Sequence, residues 1–127
     1  MRALRVLLVE DEAMIAMLLA EVIVQMGHVV CAVAATEDDA IAAGARCQPD
    51  LMIVDEVLRK GSGVSAVREI LRSGPVPHIF VSGESLNEQT LSPSAVVISK
   101  PFSISELVQA IQRALGVTDA SPANPGV

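Results

Sequence analysis

The amino-acid sequence predicts an α/β fold, a doubly wound five-stranded parallel sheet in the order 2-1-3-4-5. Two observations predict it. Short apolar runs alternate with stretches of helical periodicity, the pattern of strands buried on both faces and joined by helical crossovers. Four of the runs lead into polar residues: Leu4 to Val9 into Glu10 and Asp11, Leu51 to Val54 into Asp55, Ile79 to Val81 into Ser82, and Val96 to Ser99 into Lys100. Right-handed crossovers and the order 2-1-3-4-5 put the switch point between strands 1 and 3, and ligands of such sheets bind outside the strands' carboxyl ends. The polar groups therefore converge on one edge.

Leu4 to Val9 is the first strand. The first helix runs from Glu12 to Met26, because Ile15, Leu18, Leu19, Val22, Ile23 and Met26 recur at spacings of three and four, and Gly27 closes it as a left-handed cap. Val29 to Ala34 is strand 2. Thr36 with Asp39 resembles a capping box opening a second helix to Cys47, which Pro49 keeps from continuing. Leu51 to Val54 is strand 3, followed by a loop from Asp55 to Gly63 and a third helix from Val64 to Leu71, closed by Gly74 and Pro75. Ile79 to Ser82 is strand 4. Gly83 to Ser94 supports at most a turn or two of helix, so the fourth helix is short. Ala95 to Ser99 is strand 5, and Ser103 with Glu106 makes a capping box for the last helix, Ile104 to Leu115.

A chain of 127 residues is one domain, able to bury roughly two-thirds of its unfolded surface. The domain is expected over residues 1–117, with 118–127 a disordered tail or the start of a linker, since that end has two prolines and no apolar periodicity. The 51% hydrophobic content comes in short pieces, none near the ~20 residues of a membrane span. A net charge of −6 without a basic run argues against nucleic acid and for a protein partner. Cys31 and Cys47 read as small core residues in a reducing, cytoplasmic setting. Met14, Met17 and Met26 read as helix filler, His28 and His78 as surface or turn residues, and Arg59 and Lys60 as solvated.

Glu10, Asp11 and Asp55 in one crevice repel one another unless a cation is present. A hard divalent ion relieves this, and Mg2+ suits a site of few protein oxygens plus waters and a phosphate oxygen. A carboxylate beside such an ion can attack a phosphoryl group while a lysine and a hydroxyl bind its other oxygens, chemistries that Asp55, Lys100 and Ser82 possess.

The stretches VLLVEDE, LMIVDEVLRKGSG, FVSG and SKPF, in this order and at these gaps, resemble the receiver domain of two-component response regulators from Arg5 to Leu115. The resemblance implies a flavodoxin-like fold, Asp55 as phosphoacceptor, Asp11 as a direct Mg2+ ligand, Glu10 assisting through water or at the metal's edge, and the Val57 main-chain carbonyl as a further ligand. Lys100 would pair with the phosphoryl oxygens, Ser82 would move to hydrogen-bond them, and the Lys100–Pro101 bond would be cis. The phosphoryl group would come from a histidine kinase or histidine phosphotransfer protein, and a downstream protein partner would read the result. The domain would assist its own phosphorylation and dephosphorylation without being an enzyme.

The departures from that family are Val97, where receivers commonly carry Tyr or Phe, Arg59 in place of the usual proline, and a short segment between Ser82 and Lys100. With FVSGE they resemble a subgroup of single-domain receivers that lacks the switch aromatic and has a reduced fourth helix. The bland readings keep Asp55 as a loop carboxylate, Glu10 and Asp11 as helix-start acids, and Lys100 as a salt-bridge partner. A degenerate receiver acting as a phosphorylation-independent interaction module is one alternative. A phosphatase of the haloacid dehalogenase type is another, but it expects a second acid where Val57 stands and a cap domain for which the chain has no room. Val57 and Glu84 would flank the line of an attacking water, and an apolar Val57 would position that water poorly. Val57→Asn is expected to speed decay of the phosphorylated protein several-fold, measured by loss of label; an unchanged decay rate would count against this role.

Overall fold

The computed structural model describes residues 3–83 and 95–116. Five strands, β1 (Arg5–Val9), β2 (Val29–Ala34), β3 (Leu51–Asp55), β4 (His78–Ser82) and β5 (Val96–Ser99), alternate with helices α1 (Ala13–Gln25), α2 (Glu37–Cys47) and α3 (Gly63–Leu71), and α4 (Ile104–Ala114) follows β5. All strand pairs are parallel and the order is β2-β1-β3-β4-β5, as expected. The short helix expected between Gly83 and Ser94 and the tail from 118 lie outside the described residues.

Two apolar layers cover the sheet. Val6, Leu8, Ile53, Ile79 and Val81 face α1 and α4 through Leu19, Ile23, Leu107 and Ile111. Leu7, Val9, Met52, Val54 and Phe80 face α2 and α3 through Ala40, Ala43, Val67 and Ile70. Burial on both faces is what turns these strands into continuous apolar runs. The helix starts follow the expected chemistry. Ser103 Oγ accepts from the Glu106 N–H at 3.0 Å while the Glu106 carboxylate accepts from the Ser103 N–H at 2.9 Å, a full capping box. Thr36 accepts from the Asp39 N–H at 3.1 Å, half of one.

Several expectations need correction. His78 is 2% exposed and belongs to β4; its Nδ1 donates to the Val76 carbonyl at 2.8 Å and its ring meets Phe80 edge-on. His28 is buried too, its Nδ1 accepting the Leu4 N–H at 3.1 Å. A hydrogen-bonded imidazole tolerates burial that a charged one does not. Met14 and Met17 are 83% and 71% exposed rather than filler. Helix α1 is apolar on nearly every side, so periodicity could not tell its buried face, Ala16, Leu19, Val22 and Ile23, from its open one. Cys47 is buried, and its thiol donates to the Cys31 carbonyl at 3.4 Å across the α2/β2 seam, while Cys31 is only partly covered.

The loop from β3 to α3 is braced on two sides. The Glu37 carboxylate accepts the Ser62 N–H at 2.8 Å, and the Glu37 N–H donates to the Lys60 carbonyl at 3.1 Å. Gly61, at φ +93°, turns against Glu37. Gly63 lies so close to β3 that a Cβ there would overlap the Asp55 carbonyl oxygen and come within 2.7 Å of Val54 Cγ1. Because that neighbour is backbone, Gly63→Ala is expected to destabilise the domain by about 3 kcal/mol in urea denaturation; a loss under about 0.5 kcal/mol would show that the α3 start yields freely.

Candidate functional site

The register of the sheet assembles the site. Val9 pairs with Val54, so Glu10 and Asp55 emerge side by side where β1 and β3 end. Asp55 pairs with Val81 and Ser82 with Ser99, which brings Ser82 and Lys100 to the same edge. Asp55 is the last residue of β3 rather than the first of a loop. Glu10, Asp55 and Ser82 are all buried, and Asp11 is half-buried. A cleft of about 360 Å³ at this edge is lined by Asp11, Asp55, Val57 and Lys100 among others, while Glu10 and Ser82 are buried beside it rather than lining it.

Lys100 Nζ donates to Asp55 Oδ2 at 2.9 Å, and the other carboxylate oxygen accepts the Val57 N–H at 3.2 Å. Asp55 is thus held by its two oxygens at the floor of the cleft. Lys100 is oriented by its own backbone, whose N–H donates to the Ser82 carbonyl at 2.8 Å, and it precedes a cis proline bond as expected. Oxygens of Glu10, Asp11 and Asp55 lie within 4.8 Å of one another, a spacing that one divalent cation can bridge.

Burial, reinforced by the charge of Asp55, pushes the Glu10 carboxyl up to about 7, against the pull of the Glu12 N–H and of Lys100. Burial pulls the Lys100 ammonium down, but the hydrogen bond and charge of Asp55, with the charges of Glu10 and Glu12, outweigh it and hold Lys100 above its ordinary value. The cleft thus holds more acid than its one lysine neutralises, the condition a bound cation relieves.

Two residues were not foreseen. Glu56 accepts the Ser82 hydroxyl at 2.5 Å. The Arg59 side chain is 78% exposed, as expected, but its backbone N–H donates to Asp11 Oδ2 at 2.6 Å, with its guanidinium Nε 3.9 Å from the same oxygen. Proline has no N–H, so the departure at position 59 is what permits this bond. Position 97 holds a partly buried Val, packed against the layer that contains Phe80.

The elevated Glu10 value makes a pH prediction. Without divalent cation, folded protein keeps this proton to about pH 7, whereas the ordinary value is 4.5. Across that window the unfolded chain binds fewer protons, so this group makes stability fall as pH rises from 4.5 to 7. Glu10→Gln is expected to flatten that fall in urea denaturation across the window, and an unchanged profile would place the proton elsewhere.

Over residues 6–112 the sequence matches the response regulator receiver domain family. It is 34% identical over 115 residues to the transcriptional regulatory protein PdtaR of Mycobacterium tuberculosis, covering 87% of this chain and 56% of that one. It is 34% identical over 118 residues to the phyllosphere-induced regulator PhyR of Methylorubrum extorquens, covering 89% and 44%. The chain spans about half the length of these curated relatives. The solution structure of the Erythrobacter litoralis PhyR response regulator REC domain is similar at a TM-score of 0.81, with 32% identity and 97% of both chains covered. With the match running from β1 into α4 and the strand order in agreement, the chain belongs to the response regulator receiver domain family, the phosphoacceptor module of two-component signalling.

Proposed function

We propose that this receiver takes a phosphoryl group from a phosphohistidine onto Asp55, with Mg2+ held by Glu10, Asp11, Asp55 and the main-chain carbonyl of Val57. The observation that carries the reading is the Asp55 carboxylate at the floor of the cleft, 2.9 Å from Lys100, in a chain of this family. An Asp55 oxygen attacks phosphorus, the phosphorus–nitrogen bond breaks, and the imidazole leaves with the electron pair and takes a proton. Lys100, already aimed at Asp55, pairs with the phosphoryl oxygens, and the Ser82 hydroxyl turns to donate to another. Bound Mg2+ supplies positive charge against the carboxylates and the equatorial oxygens. Water later attacks the same phosphorus, so the domain assists both its own phosphorylation and its dephosphorylation as a signalling element.

The phosphohistidine belongs to a histidine kinase or phosphotransfer protein in the cytoplasm. Exposed Met14, Met17 and Leu18 on α1, which begins just after Asp11, support an apolar contact with such a partner beside the cleft. No helix among the described residues is long and apolar enough to cross a membrane. The receiver is assigned to residues 1–117 on the reading of the sequence, and residues 118–127 lie outside the described residues. A downstream protein partner then reads the phosphorylated surface.

Intact mass after incubation with Mg2+ and acetyl phosphate tests this. One phosphoryl group is expected on the parent and none on Asp55→Asn. No gain on the parent, together with no beryllofluoride binding, would favour a phosphorylation-independent interaction module.

A further inference from the structure

Glu56 has no part in the chemistry above, yet its side chain holds a group that chemistry needs. The Ser82 hydroxyl donates to Glu56 Oε1 at 2.5 Å, within the range of charge-assisted O–H···O− bonds. The main chain on both sides is pinned. The Glu56 N–H donates to the Val81 carbonyl at 3.0 Å, its carbonyl accepts the Gly63 N–H at 2.9 Å, and the Ser82 carbonyl accepts the Lys100 N–H at 2.8 Å. Side-chain torsions are therefore the freedom that remains. Ser82 is 1% exposed, so its proton goes to a protein acceptor rather than to bulk water.

We propose that Glu56 is a positioning residue that latches the Ser82 hydroxyl in the unphosphorylated domain, so that a phosphoryl group on Asp55 must win that proton from Glu56. The proposal rests on the reading of Asp55 as phosphoacceptor. A hydroxyl carries one proton. It donates to the Glu56 carboxylate or to a phosphoryl oxygen, not fully to both. Two exclusive acceptors for one donor make a two-state element, and a ligand shifts it only by its differential interaction with the two states. The Glu56 bond thus sets how strongly the resting state is held.

Release has a second effect. Glu56 also lines the cleft, and once unlatched its carboxylate faces the new negative charge on Asp55. Like-charge repulsion drives it toward the open side. Phosphorylation then exchanges a sheltered hydrogen bond for an outward carboxylate, a surface change that needs no aromatic ring at Val97.

The test is the affinity for beryllofluoride with Mg2+, followed by amide chemical shifts, in the parent, Glu56→Ala, Ser82→Ala and the double variant. Glu56→Ala is expected to tighten binding about tenfold in the parent background and to have under about twofold effect in the Ser82→Ala background. Glu56→Gln, which keeps an acceptor without the charge, is expected to fall between parent and Glu56→Ala, and serves if Ser82→Ala folds poorly. An equal gain in both serine backgrounds would reduce Glu56 to plain charge repulsion and overturn the latch, as would no gain from Glu56→Ala or Glu56→Gln. If the parent binds no beryllofluoride and takes no phosphoryl group on Asp55, the phosphoacceptor reading itself falls, a result distinct from latch failure, in which the parent binds normally.

Discussion

The constraint on which this structure depends is the burial of β1, β3 and β4 on both faces. Val6 to Val9 and Leu51 to Val54 are at most 1% exposed. A strand so enclosed has no place for an unpaired polar or charged side chain along its length, because an unpaired buried charge costs far more than any packing it could gain; the one imidazole there, His78, is hydrogen-bonded. Polar residues are therefore displaced to the strand ends, and parallel strands present all their carboxyl ends together. Chemistry and core are separated by one residue in the chain, from Val54 to Asp55 and from Val9 to Glu10. Gly63 makes the separation possible, since it lets α3 start against the Asp55 carbonyl without a side chain between them.

The same constraint explains what could be read from the sequence. Continuous apolar runs give the strands, Ser103 with Glu106 gives the last helix start, and strand ends give Glu10, Asp11, Asp55, Ser82 and Lys100. What could not be read depends on register or on packing of individual side chains. Glu56 looks like one more acid in a polar loop; only the β3/β4 pairing puts it against Ser82, 26 residues away. The Arg59 bond to Asp11 runs through a main-chain N–H, which carries no side-chain signature. His78 reads as polar, yet a carbonyl partner and Phe80 make its burial tolerable. Met14 and Met17 read as core because α1 is apolar on nearly every side.

Charge in the cleft is arranged in tiers. Lys100 holds Asp55, the Arg59 main chain holds Asp11, Glu56 holds Ser82, and Glu10 keeps its proton into the neutral range. Each carboxylate has its own device for enduring its neighbours, and these devices differ in kind: an ion pair, a backbone donor, a hydroxyl and protonation. A cation entering the cleft would compete with all of them at once, so its binding would be felt from α1 to the loop braced by Glu37.

The two cysteines give the molecule an internal reporter. Burial, with the Cys47 thiol beside it, pushes the Cys31 thiol up to about 11. At neutral pH only about one such thiol in ten thousand is the thiolate that reacts with maleimides or disulfide reagents. Cys47, by contrast, is buried with its thiol bonded to the Cys31 carbonyl across the seam between β2 and α2, so its labelling in the native protein reports opening of that seam. The α2 side of that seam also carries Glu37, the brace of the loop beyond Asp55, so thiol labelling rates would time the breathing of the helix that steadies the loop above the cleft.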